Sequence, residues 1–173
     1  MHHLGEAGSP YQDATANNRD GAEATNSPTA TTGKVGGGQD FVAASNDRYS
    51  VASPSLPTGD FNYEAWVRPD AATSETVFDA SNGTSANKLA LVIDGGVEVY
   101  TNGSLRMTTS TTLSPGTMYH LVTTRSGSTI RAYINGVQDA TTGTDAGALS
   151  FSTCSVFVGT DVSSFCGSPT SNA

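Results

Sequence analysis

Apolar residues in this chain recur at every second position over short stretches, a pattern that is typical of β-strands. The clearest stretch is 61–67, in which every second residue is apolar, and Pro69 ends the run. Similar runs predict further strands at 49–51, 77–79, 88–93, 97–101, 106–112, 119–124, 129–134, 148–151 and 155–158. Stretch 12–24 is rich in Asn, Asp and Gly, which compete with a helix for backbone hydrogen bonds, so a loop is expected there.

Turn sequences separate these predicted strands. Asn102-Gly103 and Asn135-Gly136 are the strongest, because a type I′ hairpin turn needs positive φ at two positions in a row. The glycine run 36–38 predicts a turn that a side chain would block. No segment has convincing helical periodicity, so the chain is predicted to be an all-β protein, a sandwich of two packed antiparallel sheets.

Length, composition and charge narrow the possible functions. The 173 residues fit one domain, predicted over 1–167, with a short polar tail at 168–173. No run approaches the roughly 20 apolar residues of a membrane span, so no membrane insertion is expected. The net charge is −8 and the eight Lys and Arg residues are scattered singly, which argues against a nucleic-acid partner. Low charge and abundant Ser and Thr favour an extracellular or cell-surface protein.

Several segments occur in an order that is typical of one family of sandwich domains. They read HLGE at 3–6, DATANNRDG at 13–21, TGKVGGGQDF at 32–41, FNYEAWVRP at 61–69, PGTMYHLV at 115–122 and RAYINGV at 131–137. Through them, residues 2–165 resemble the laminin G type 3 family, the LamG-like domains with a concanavalin A-like jelly roll. On a central strand of such a sandwich, the large side chain of Trp66 is expected to lie in the core together with Phe61.

The sequence departs from this family at three places. Val42 stands where the family commonly has an Asp that serves a structural calcium ion, and Met118 replaces a Trp. The strand that usually closes the family's domain is missing after Phe165-Cys166-Gly167. Three explanations stay open: the domain is truncated, it closes differently, or it accepts a strand from another chain and forms an oligomer.

No constellation of catalytic residues stands out in the sequence. Retaining glycosidases of similar fold carry paired carboxylates on one strand, whereas Glu64, Asp94 and Glu98 occur singly. A Gly-x-Ser-x-Gly motif is also missing. His120 is predicted to serve as a structural hydrogen-bonding residue, and the protein is not expected to be an enzyme.

Calcium is the one cofactor that the sequence suggests, because oxygen-rich loops are frequent. By resemblance to pentraxin-like relatives, Asn87 and Asp161 fall near loop positions that hold calcium, and Asp47 is a further candidate ligand. Asp13, Asp20 and Asn46 carry suitable oxygens as well. The alternative is that these residues form turns through their own side chains.

The two cysteines are twelve positions apart and flank the predicted strand at 155–158. In an oxidising compartment, Cys154 and Cys166 are predicted to form a disulfide that ties the C-terminal loop to the sheet.

Candidate ligand-binding residues are aromatic side chains that stack on sugars and polar ones that bind hydroxyl groups. Tyr100, Tyr133, Asn102 and Arg131 are predicted to fill these roles, and Tyr11 is a further candidate. The alternative is that the tyrosines are ordinary half-buried residues of a sandwich. The sequence therefore favours a non-catalytic extracellular module that recognises a glycan or polysaccharide. The alternative function is a structural or adhesion module that contacts an extracellular protein or assembles a surface filament, with strand completion in trans.

Overall fold

Antiparallel strands make up nearly all of the regular structure, as the alternating pattern predicts. The structure, a computed structural model, describes residues 2, 4–23, 26–52, 56–80, 89–150 and 155–159. The strands are β1 (Gly21–Glu23), β2 (Thr29–Thr32), β3 (Gly37–Asp40), β4 (Tyr49–Val51), β5 (Phe61–Val67), β6 (Glu75–Ala80), β7 (Leu89–Asp94), β8 (Gly96–Thr101), β9 (Ser104–Thr108), β10 (Tyr119–Ser126), β11 (Thr129–Ile134), β12 (Val137–Thr144) and β13 (Val156–Val158). One short 3₁₀ turn, Ala43–Ser45, precedes β4.

Two sheets pack face to face and confirm the predicted β-sandwich. The larger sheet has seven strands in the order β1-β4-β13-β6-β7-β8-β9, and the smaller has four in the order β12-β11-β10-β5. The hairpin β2-β3 forms a separate two-stranded ribbon. Tyr63 of the four-stranded sheet and Phe78 of the seven-stranded sheet meet between the layers, with ring centroids 4.7 Å apart.

The core lies between the two sheets and follows the pleat of the strands. Leu121 and Ile130 on one sheet and Leu91 and Val99 on the other are each at most 2% exposed. Full burial of one such side chain contributes about 1.5–3 kcal/mol, so this inward layer supplies much of the stability. Phe61 packs against the same cluster, as predicted.

Trp66 lies outside the core, so its prediction was wrong. The side chain is 45% exposed, and its neighbours in the strand, Ala65 and Val67, are the residues that turn inward. Successive residues of a strand point to opposite faces, and Phe61 and Trp66 are separated by an odd number of positions. The pleat therefore places Trp66 on the outer face in spite of its size.

Further predictions about strands were wrong. Gly21–Glu23, inside the loop expected at 12–24, forms β1, and β2 and β3 were not predicted. β12 was missed because its buried inward positions are Asp139 and Gly143, which give no apolar alternation. Residues 148–150, predicted to begin a strand, belong to none. Leu149 is buried all the same, and its backbone N–H donates to the carbonyl of Thr58 at 2.8 Å.

Both Asn-Gly turns form as predicted. φ is +48° at Asn102 and +71° at Gly103, and +53° at Asn135 and +81° at Gly136. Positive φ at two positions in a row is the type I′ geometry, which matches the twist of the strands that it joins. The turns therefore fix the registers of β8 with β9 and of β11 with β12.

Substitution of Thr by Val is expected to have opposite effects on the free energy of unfolding at two buried positions. Within the described part of the chain, the hydroxyl of Thr123 has no hydrogen-bond partner. The hydroxyl of Thr101 donates to Asp145 and accepts from Nε of Arg106 at 3.0 Å. An unsatisfied buried polar group costs about 1–3 kcal/mol, so Thr123→Val should raise the free energy of unfolding by about 1 kcal/mol and Thr101→Val should lower it by a similar amount or more. Urea denaturation of both variants checks this, and destabilisation by Thr123→Val would contradict it.

The carboxyl group of Asp139 should make the stability of the fold depend on pH. Burial works to raise the pKa of its carboxyl, but hydrogen bonds donated by Ser110, Thr111 and Thr141 outweigh burial and hold the pKa well below its usual value. The carboxylate therefore stabilises the fold above the unfolded-state value of about 3.9, and this contribution is lost as the pH falls below it. Thermal unfolding should show Asp139→Asn less stable than the parent near pH 7, with the gap narrowing below about pH 4. A constant gap would contradict this role.

Candidate functional site

The predicted ligand-binding residues lie on opposite outer faces of the sandwich. Tyr100 belongs to β8 of the seven-stranded sheet, and Asn102 is in the turn that follows. Arg131 and Tyr133 belong to β11 of the four-stranded sheet, where Ile130, Ala132 and Ile134 turn inward. The four residues therefore do not form one site.

Tyr100 is held against its own sheet. Its hydroxyl donates to Oε2 of Glu98 at 2.8 Å, and Oε1 of Glu98 accepts from Thr108 at 3.5 Å. Ala90 lies opposite Tyr100 in the register and is 1% exposed. This face thus offers two half-buried rings: Tyr100, whose hydroxyl already has a partner, and Phe157 of β13, which lies in the same cross-strand row.

The side chain of Asn102 makes hydrogen bonds that hold its turn in place. Its side-chain nitrogen donates to Oδ2 of Asp145 and to the carbonyl of Ala148, both at 3.2 Å. Its side-chain oxygen accepts from the backbone N–H of Ser150 at 3.2 Å. Both ends of the amide therefore tie the turn to segment 145–150.

The outer face of the four-stranded sheet carries an exposed aromatic group. We call it the Trp66 face and define it by Lys34, Glu64, Trp66, His120, Arg131 and Tyr133. Trp66 and His120 are paired across β5 and β10, and their ring centroids are 4.8 Å apart with the planes tilted by 31°. Nε2 of His120 lies 2.9 Å from Oε1 of Glu64, which is the neighbouring outward residue of β5. An aromatic surface, an imidazole and a carboxylate therefore lie side by side.

Tyr133 extends this face across the sheet. Val122 lies opposite both Glu64 and Tyr133, so the three residues form one row over β5, β10 and β11. With strands about 4.8 Å apart and a rise of about 3.4 Å per residue, Trp66 and Tyr133 are separated by about 12 Å. Arg131 is the next outward residue of β11, about 7 Å from Tyr133 along the strand.

The β2-β3 hairpin brings a cation to the Trp66 face. Nζ of Lys34, in the loop between these strands, lies 5.6 Å from the centroid of the Trp66 ring. The hairpin packs closely on the N-terminal segment, because a Cβ on Gly37 would lie 2.4 Å from Cα of Gly5. Glycine is therefore required where the ribbon meets this segment.

The candidate calcium ligands that the structure describes support loops. Asp47 is buried, and its Oδ2 accepts from the backbone N–H of Val42 at 3.0 Å. The carboxylate of Asp13 accepts from the backbone N–H and the hydroxyl of Thr15 and from the N–H of Arg19. Across the residues with a described structure, no three His, Cys, Asp or Glu side chains are grouped to hold a metal ion.

Four of the predicted residues lie outside the described residues. They are the calcium candidates Asn87 and Asp161 and the cysteines Cys154 and Cys166. Calcium binding by these loops and the disulfide therefore stay predictions.

Comparison with known proteins identifies the family. The family model for Laminin_G_3, described as the concanavalin A-like lectin/glucanases superfamily, matches residues 43–170. The chain belongs to the Laminin_G_3 family. This confirms the resemblance drawn from the sequence motifs. The match includes Glu64, Trp66, His120, Arg131 and Tyr133, whereas Lys34 precedes it.

Solved structures of other proteins are similar to this Laminin_G_3 domain. Domain 4 of AbnA, a GH43 extracellular arabinanase from Geobacillus stearothermophilus in complex with arabinotriose, is similar with a TM-score of 0.69 and 19% identity over 86% of this chain and 76% of that chain. The carbohydrate binding module CBM66 from Bacillus subtilis gives a TM-score of 0.48 and 17% identity, over 80% and 87% of the two chains. A search of curated proteins found no match. In the described part of the chain, no helix is long and apolar enough to cross a membrane.

Sequence reasoning missed Trp66, His120, Glu64 and Lys34 as a group. The sequence did contain a signal for Trp66 and Glu64, because the alternation along 61–67 places both on the face of the strand opposite to that of Phe61. The contacts of Trp66 and Glu64 with His120 depend on the pairing of β5 with β10, and the contact of Trp66 with Lys34 depends on the β2-β3 hairpin. Neither contact has a local sequence signature.

The fluorescence of Trp66, the single tryptophan of this Laminin_G_3 domain, tests the geometry of the face. Because the ring is 45% exposed, neutral acrylamide should quench its emission efficiently. Iodide should quench it as well, since the Lys34 ammonium raises the local concentration of anions. Lys34→Gln should lower the iodide quenching constant and leave the acrylamide constant unchanged. Weak quenching by acrylamide would show a buried ring and contradict the structure.

Proposed function

We propose that this Laminin_G_3 domain is a non-catalytic, extracellular carbohydrate-binding module that binds a glycan on the Trp66 face. The observation that carries the proposal is the exposure of Trp66 beside polar groups on a rigid sheet. An indole ring that is 45% exposed beside charged and polar side chains is a surface on which a ligand with an apolar face can bind.

The chemistry of the face matches that of a sugar ring. The C–H face of a pyranose packs on an aromatic ring, while its hydroxyl groups need hydrogen-bond donors and acceptors at the edge. Glu64 offers acceptor oxygens, and His120 contacts both Glu64 and the Trp66 ring. Tyr133 supplies a second aromatic position about 12 Å away, which suits an oligosaccharide better than a single sugar.

The opposite face is a weaker candidate. Tyr100 is half-buried, and its hydroxyl is already bonded to Glu98. A sugar that binds there would have to compete with this hydrogen bond. On the Trp66 face the largest ring is already 45% exposed, and the contact that a stacking sugar would displace is that of the flexible Lys34 side chain.

Binding fits the arrangement of carboxylates better than hydrolysis does. The outward residues of β5 include one carboxylate, Glu64, and Asp60 precedes the strand by one residue. In extended chain, four residues separate their backbones by about 13 Å. Glycosidases need two carboxyl groups roughly 5–9.5 Å apart across the scissile bond, and Asp60 is already bonded to the N–H of Gly127.

The relatives give the proposal its context. Domain 4 of AbnA was solved in complex with arabinotriose, so a domain with this fold and similar size holds an oligosaccharide. That protein is an extracellular enzyme, in keeping with the extracellular location proposed here. The position of the site in this chain rests on the Trp66 face alone.

Affinity gel electrophoresis and calorimetry with a panel of soluble polysaccharides test the proposal. Trp66→Ala should weaken binding at least about tenfold, since a central tryptophan at an interface contributes about 2 kcal/mol or more. Tyr133→Ala should weaken it less. Leu105→Ala removes a side chain of similar exposure, 47%, from the seven-stranded sheet and is the matched control. The measurements are made with calcium and with EDTA, because calcium binding by Asn87, Asp161 and Asp47 is a separate proposal.

The outcomes distinguish the two faces. Loss of binding in Tyr100→Ala with full binding in Trp66→Ala would move the site to the seven-stranded sheet. No saturable binding to any polysaccharide would overturn the proposal. Light scattering on the same sample would then show whether the domain self-associates, as the adhesion alternative requires.

A further inference from the structure

We infer that the Trp66 face selects acidic polysaccharides, whose sugars carry carboxylate groups, over neutral ones. This inference rests on the proposed function, because it names the class of ligand for the same site. It follows from the charges on the face, which differ in sign from the charge of the whole protein.

Positive charges without a carboxylate partner lie on and beside the Trp66 face. Lys34 lies over the Trp66 ring, Arg131 is an outward residue of β11, and Arg68, which is exposed directly after β5, borders the face. Within the described structure, none of the three makes an ion pair. Arg125, by contrast, is buried, and Arg106 lies 3.5 Å from the carboxylate of Asp145.

Negative charge is scarce on the same face. The protein has 16 Asp and Glu residues and a net charge of −8, yet Glu64 is the one carboxylate at an outward position of the four strands. Its Oε1 is engaged by His120 at 2.9 Å. On the outward positions of the four strands Arg131 and Glu64 are one charge of each sign, and Lys34 and Arg68 add two cations from beside the strands. The Trp66 face is therefore less negative than the protein as a whole, which favours an anion there over the rest of the surface.

Each of the two aromatic rings on the face has one cationic side chain near it. Lys34 lies 5.6 Å from the Trp66 centroid, and Arg131 is two residues from Tyr133 on the same side of β11. A sugar that stacks on either ring would place its carboxylate within reach of a long cationic side chain. Arg131 can bind a carboxylate through two parallel hydrogen bonds, and Lys34 can exchange its contact with the ring for a charge-assisted hydrogen bond. Two aromatic–cation pairs about 12 Å apart suit a polymer with an acidic group on every sugar.

The experiment compares polymers that differ only in the carboxylate. Polygalacturonate and alginate are each compared with their carboxyl-reduced, neutral forms, by calorimetry near physiological salt. We expect the intact domain to bind at least one acidic polymer about tenfold more tightly than its reduced form.

Charge variants then locate the selectivity. Lys34→Gln and Arg131→Gln should each weaken binding to the acidic polymer about twofold to fivefold more than binding to the reduced polymer, as expected for the loss of exposed ion pairs. Glu64→Gln should strengthen binding to the acidic polymer. Asp94→Asn, which makes the same change in net charge at an exposed position of the seven-stranded sheet, is the matched control and should have no effect.

The outcomes separate this inference from the proposed function. Equal affinity for acidic and reduced polymers, with loss of both in Trp66→Ala, overturns the acidic selectivity and leaves glycan binding intact. No binding to any polymer overturns both. Tight binding of dextran sulfate that survives Trp66→Ala would show unspecific attraction of polyanions and would also overturn the inference. Equal effects of Glu64→Gln and Asp94→Asn would lead to the same conclusion.

Discussion

The pleat of the four-stranded sheet is the constraint on which both the core and the proposed site depend. Each strand of this sheet divides its side chains between the interior and the solvent, so Phe61 and Ile130 pack inward while Trp66 and Arg131 face outward. A slip of one residue would exchange the two sets, burying charges and exposing the apolar layer. The type I′ turn at Asn135-Gly136 opposes such a slip, because it sets the register of β11 with β12.

The site also depends on a segment remote from these strands. Lys34 reaches Trp66 because the β2-β3 ribbon packs on the N-terminal segment, with Gly37 against Gly5. The family match begins at residue 43, after the ribbon. The four-stranded sheet that carries Trp66 therefore lies within the family match. Lys34, the cation above the Trp66 ring, lies outside it.

The sequence predicted the fold well because the fold depends on local rules. Alternation predicted most of the strands, and the Asn-Gly pairs predicted two turns that the structure confirms. It failed where a local pattern was misleading. β12 carries Asp139 inward, satisfied by hydrogen bonds from other segments, and Trp66 was assigned to the core by size although the alternation of its strand places it outside.

The candidate site was predicted less well, since it is made by contacts between distant segments. Tyr133 and Arg131 were identified from residue type, but the same reasoning chose Tyr100 and Asn102 on the far side of the sandwich. The pairing of Trp66 with His120 comes from the strand order, in which β5 neighbours β10. Residue types indicate which chemistry is available, whereas the strand order decides which groups can act on one ligand.

The charge of the whole protein shapes what the Trp66 face can recognise. A net charge of −8 repels polyanions at long range, but screening at physiological salt limits that repulsion to roughly 8 Å. Lys34 and Arg68 lie within about that distance of Trp66, and Arg131 lies within it of Tyr133. Under the proposed selectivity, stacking on Trp66 and Tyr133 would bring the carboxylates of an acidic chain to these cations. The acidic remainder of the protein would then disfavour polyanions that cannot stack on the rings.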